Sequence, residues 1–165
     1  MKRVLFAGAA FCAMTLPAFA QDALCSKLSW PLEHERALLN GTVDLVVSGT
    51  TRKAIPDKAL SLILNTGDKA ALPNAPGKQL DPKKFAGFVI LPVTAPGDYL
   101  VSLSAEGWID TVQNGVALTS AAHTGDEHCP GLRKSVRFTL TASPLTLQIG
   151  NAPADHIEIA VTPTH

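Results

Sequence analysis

From residue 42 onward, hydrophobic and polar positions alternate with a period of two, the signature of half-buried strands. Val43, Leu45 and Val47 alternate with Thr42, Asp44 and Ser48, which predicts a strand with the three aliphatic residues turned inward. Leu60, Leu62 and Leu64 repeat the pattern, and residues 86–93 form an almost unbroken apolar run, as in a strand buried on both faces. Tyr99, Val101 and Leu103 alternate with Ser102 and Ser104. Residues 108–113 and 116–118 flank Asn114-Gly115, a pair suited to a tight hairpin turn. Residues 132–141, 145–149 and 156–161 complete the strands, while 67–84, with three Pro and two Gly, reads as a long, mobile polar loop and 119–131 as a second polar loop. Helical spacing occurs only at residues 28–40, with Pro31 suited to a first helical position and Asn40-Gly41 to a stop. These eight or nine strands, without βαβ alternation, predict an all-β protein: an antiparallel, jelly-roll-like β-sandwich with one short N-terminal helix.

The first twenty residues follow a different rule. Lys2 and Arg3 precede an apolar stretch that closes on Ala18-Phe19-Ala20, the arrangement of a cleavable secretory signal. The expected organisation is therefore a signal peptide at 1–20 and a single β-sandwich domain at 21–165. The mature chain would have no membrane span and would be periplasmic or secreted. Of three cysteines, Cys12 falls in the signal, which leaves Cys25 and Cys129 as an even pair. An oxidising compartment predicts that they are joined in a disulfide. No C-x-x-C supports thioredoxin-like chemistry or a zinc ribbon.

The 14 basic and 14 acidic residues balance, and loss of Lys2 and Arg3 tips the chain slightly acidic. That argues against a nucleic-acid partner, which calls for a basic excess. Neither a phosphate-binding Gly-rich motif nor a G-x-S-x-G elbow occurs. Candidate chemistry gathers between residues 108 and 137. Strand alternation puts Trp108 and Asp110 on one face, and puts Lys134 in line with Leu132, Val136, Phe138 and Leu140. A charge facing a core needs a partner, so Asp110 and Lys134 are expected to pair at the rim, with Arg133 on the opposite face. The 119–131 loop supplies His123, Asp126, Glu127 and His128, all competent ligands for Fe or Zn. No cofactor is otherwise called for.

The runs A-P-G-D-Y-L-V-S-L (95–103), W-I-D-T-V (108–112), N-G (114–115), S-A-A-H (120–123), C-P-G-L-R-K-S-V-R-F (129–138) and L-Q-I (147–149) resemble a group of small exported proteobacterial proteins. The likeness covers about half of the chain beyond the signal, and members of the group often carry the name homogentisate 1,2-dioxygenase. The resemblance implies a metal-dependent dioxygenase activity; the corresponding iron site, two His and one carboxylate, would fall to His123 and His128 with Asp126 or Glu127. The group is also similar to pre-peptidase C-terminal sandwiches, which implies a binding or assisting role. A shared site would then comprise Trp108, Asp110, His123, Arg133 and Lys134.

The expectation is an exported soluble β-sandwich with a non-catalytic binding or envelope-associated role. Its partner would be a small ligand, a glycan or an envelope protein. The alternatives are the metal-dependent oxygenase and a purely structural envelope protein.

Overall fold

The computed structural model describes residues 24–164. The expected signal at 1–20 lies outside the described residues. Helix α1 spans Glu33–Leu39. The strands are β1 (Asp44–Val47), β2 (Thr50–Thr51), β3 (Leu60–Ile63), β4 (Asn65–Thr66), β5 (Phe85–Pro92) and β6 (Gly97–Leu103). They continue with β7 (Trp108–Gln113), β8 (Val116–Ala117), β9 (Ala122–Gly125), β10 (Lys134–Leu140), β11 (Pro144–Ala152) and β12 (His156–Pro163).

These strands build an all-β sandwich. The first sheet has the order β1-β3-β12-β6-β10-β9; the second runs β2-β5-β11-β7-β8, with β4 also paired to β5. Pairing is antiparallel except for β1 with β3 and β2 with β5, so both sheets are mixed at one edge. Successive strands β5, β6 and β7 alternate between the sheets, as do β10, β11 and β12, which is the wrapping expected of a jelly-roll-like fold.

The core forms where inward positions of the two sheets meet. Tyr99, Val101 and Leu103 of β6, and Val136, Phe138 and Leu140 of β10, face Leu145, Leu147 and Ile149 of β11. A buried Leu or Ile contributes roughly 1.5–3 kcal/mol by leaving water, so the period-two pattern fixes which face turns inward. The β7–β8 hairpin takes the left-handed backbone that Asn114 and Gly115 tolerate, at φ 53° and 76°.

The outer face of the first sheet carries a second apolar layer. Leu32 and Leu39 of the helical segment pack with Leu100, Ala160, Leu132 and Cys129. The Cys25–Cys129 disulfide expected from the cysteine count is present. The segment it anchors runs along the edge of β9, where Ser29 N donates to Thr124 Oγ1 (2.8 Å) and Lys27 N to Asp126 Oδ2 (3.2 Å). An edge strand is thereby covered.

Four expectations need correction. The helix begins at Glu33, not near residue 28, because the chain before it is held by the disulfide and the β9 edge. Residues 122–125 form β9 and are not loop, since they pair with β10 from Ala122↔Arg137 to Gly125↔Lys134. The 67–84 loop is held against the second sheet, as described below. Finally, β1 presents the opposite face from the one its alternation suggested. Val46 is buried, whereas Leu45 is 70% and Val47 58% exposed. The register Val46↔Leu62 aligns Val46 with an inward leucine of β3. Asp44, inward by the same register, reaches Arg52 at 2.8 Å.

Candidate functional site

One end of the sandwich collects four of the residues singled out from the sequence: Trp108, Asp110, Arg133 and Lys134. On β7, Ile109 joins the core, so Trp108 and Asp110 stand on the outer face of the second sheet. Trp108 Nε1 donates to Asp110 Oδ1 at 2.9 Å. The other carboxylate oxygen accepts Gly77 N at 3.0 Å. Trp108 is nevertheless 40% exposed, high for a ring of its size.

The 67–84 loop lies across this face and supplies what the sequence reading missed. Gln148, fully buried and opposite Asp110 in the ladder, accepts Asn74 N (3.0 Å) through Oε1 and donates through Nε2 to Asn74 O (3.3 Å). Asn151 fastens the far side, accepting Asp81 N (2.8 Å) and donating to Gln79 O (3.0 Å). The loop brings Lys78 over the Trp108 ring, 5.8 Å from its centroid, within cation–π range. Gly77 permits this approach: a Cβ there would stand 2.6 Å from Asp110 Oδ1. The Pro-Gly-Lys sequence at 76–78 announces a turn, but no periodicity announces where a turn docks.

Lys134 does stand in line with the core, as the alternation predicted. Its partner is not Asp110, which is on the other sheet and committed to Trp108 and Gly77. Lys134 Nζ donates instead to Gly107 O at 2.7 Å, in the short connection from β6 to β7. Burial pulls its ammonium below the usual lysine range; nearby Glu106 opposes the shift, and Arg133 and Lys78 add to it. Arg133 pairs with Glu106 at 2.7 Å. The 106–107 connection thus brings Arg133 and Lys134 to the end of the sandwich that carries Trp108.

His123 is elsewhere. It sits exposed on edge strand β9 opposite Val136 and does not join the Trp108 cluster. The other proposed metal ligands serve the disulfide loop. Asp126 is buried and accepts His128 N (3.0 Å) and Lys27 N (3.2 Å). The His128 backbone bond, with that of Lys27 against the opposing effect of burial, holds the Asp126 carboxyl below its ordinary range. His128 Nδ1 lies 3.5 Å from Asp126 and 3.9 Å from Glu127, with Glu127 and His128 both exposed. Among the described residues, no three His, Cys, Asp or Glu side chains gather as a metal centre would require.

The arrangement offers a partly exposed aromatic plane, a cation beside it, a carboxylate and an Arg–Glu pair. These groups can stack against an apolar ring face and exchange hydrogen bonds at its margin. Among the described residues, no helix is long and apolar enough to cross a membrane. Comparison of the chain with family models, with curated proteins and with solved structures finds no match to any of them.

Proposed function

We propose that this protein is an exported binding module, non-catalytic, that takes a glycan at the Trp108 end of the sandwich. The observation that carries this reading is the Trp108 ring, pinned through Nε1 by Asp110 and left 40% exposed beneath Lys78. An indole fixed in this way loses little freedom on binding and presents a flat face to the C–H surface of a sugar. Lys78 and Arg133 supply donors, and Asp110 and Glu106 supply acceptors, for hydroxyl groups at the rim. The leader-like pattern at residues 1–20 and the Cys25–Cys129 disulfide support an extracytoplasmic setting, where envelope glycans are available.

The test is calorimetric titration of the disulfide-bonded protein with soluble oligosaccharides of β-linked hexoses and N-acetylhexosamines. Binding by at least one class is expected. Trp108→Ala should weaken it about tenfold or more, as removal of a stacking anchor does. Unchanged affinity in a folded Trp108→Ala protein would remove Trp108 from the site and end this reading.

A further inference from the structure

A second cleft lies on the outer face of the other sheet, under the N-terminal segment and toward the opposite end of the strands. Its floor includes Arg137 of β10, flanked in the ladder by Leu100 and opposite Ala122. Trp30 stacks on the guanidinium, with Arg137 Cζ 5.1 Å from the ring centroid. The cleft between Trp30, Pro31, His34, Arg137 and Pro163 encloses about 480 Å³.

Arg137 stands apart from the other described arginines. Arg52 and Arg133 reach carboxylates, and Lys134 reaches a carbonyl. The half-buried guanidinium of Arg137 makes no hydrogen bond or ion pair among the described residues, and its Nε is buried without a partner. Two carboxylates share the cleft, yet neither answers it. Glu35 is 6% exposed and takes the Thr162 hydroxyl at 2.6 Å, while Glu33 is exposed to solvent. A guanidinium held over an indole, with its fork unused, is organised for a planar, bidentate anion. Native structures rarely leave such groups unanswered.

The chemistry beside it gives the rest of the ligand. His34 and Pro163 also line a neighbouring cleft of about 470 Å³, whose walls include Ile55, Pro56, Tyr99 and Val161, together with Lys53 and Asp57. A charged head at Arg137 would therefore stand beside a trough with largely apolar walls. We propose that these two neighbouring clefts, which share His34 and Pro163, together form a second binding site, separate from the Trp108 face, for a small organic carboxylate with an apolar body. The carboxylate pairs with Arg137 against Trp30, and the apolar body lies along Ile55, Pro56 and Tyr99.

The experiment is calorimetric titration of the disulfide-bonded protein with octanoate, octanamide and inorganic phosphate. Octanoate is expected to bind. Octanamide, equal in shape but uncharged, should bind about tenfold to a hundredfold more weakly, the range for one charge-assisted hydrogen-bonded pair. Phosphate, which has the charge without the body, should also be weaker. Arg137→Gln should lose the preference for octanoate over octanamide. In a Trp108→Phe background, Trp30 is the single indole, and octanoate should change its emission. Equal binding of octanoate and octanamide would overturn the proposal, as would no binding by a protein with intact near-ultraviolet dichroism. Phosphate binding as tightly as octanoate would overturn the assigned ligand class. The ligand comparison stands on the unaltered protein even where Arg137→Gln fails to fold.

Discussion

The indole N–H of Trp108 and the carboxylate of Asp110, two residues apart on one strand face, are joined by a 2.9 Å hydrogen bond. The bond fixes the plane of the exposed ring, and the second carboxylate oxygen draws in the backbone of Gly77. Ring, strand and loop are therefore one unit. Gly77→Ala is expected to disturb all three, because the new Cβ would crowd both Asp110 Oδ1 and Trp108 Nε1. Chemical denaturation should show a loss of about 1–2 kcal/mol, and the Trp108 emission of a Trp30→Phe background should shift. Unchanged stability and emission would mean that the loop does not rest on this face in solution.

Gln148 carries the other end of the same contact. Gln148→Leu preserves volume but leaves the backbone N–H and C=O of Asn74 without the side chain that answers them. The expected cost is about 1–3 kcal/mol, and residues 67–84 should become the first site of limited proteolysis. Digestion that starts elsewhere, at the rate of the parent protein, would show that Gln148 does not hold the loop.

How much of this was legible in the sequence follows from what each kind of signal reports. Strands buried by period-two alternation, such as β6, β7 and β10, are readable because one face must leave water. So is the Asn114-Gly115 turn, where backbone conformation itself selects the residues. Strand β1 misleads because Leu45, Val46 and Val47 are consecutive aliphatics, and only the register with Leu62 decides which of them turns inward. The candidate site was half legible. Trp108 and Asp110 share a face by local geometry, and Lys134 is inward as expected. Its acceptor, a backbone carbonyl of the 106–107 connection, has no sequence signature, and neither has Lys78, which arrives from a loop about thirty residues away. Arg137 and Trp30 are farther apart still in the chain.

The assignment of faces in β1 can be tested directly. Val46→Ala should cost about 2 kcal/mol, because it opens space in the core beside Leu62. Leu45→Thr, on the exposed face, should stay within about 0.5 kcal/mol of the parent. Urea midpoints decide between the two faces, and a larger loss for Leu45→Thr than for Val46→Ala would reverse the orientation.

The disulfide closes a loop between residues 104 positions apart. By loop-closure entropy such a bridge contributes about 4–5 kcal/mol, with smaller values common in practice. The paired substitution Cys25→Ser, Cys129→Ser should lower the urea midpoint accordingly. It should also expose amide protons in residues 27–29 to exchange, since that segment would lose its anchor. A double variant as stable as the parent would show that the Leu32–Leu100–Leu132 layer holds the N-terminal segment unaided.

Acid should act on that same segment through Asp126. Backbone donation from His128, and then from Lys27, lowers its folded-state pKa beneath the unfolded carboxylate value. A depressed carboxylate pKa stabilises the fold above the unfolded pKa, and that contribution is lost as pH falls through the folded value. Stability should therefore decline as pH drops below the ordinary aspartate range, as the bonds to Lys27 and His128 weaken. Asp126→Asn retains acceptor capacity without the charge, so it should be less stable near neutrality and show a shallower acid decline. Parallel denaturation curves at pH 7 and pH 3 for the two proteins provide the measurement. An undiminished acid slope in Asp126→Asn would place the acid sensitivity in other carboxylates and leave Asp126 a neutral bracket for the disulfide loop.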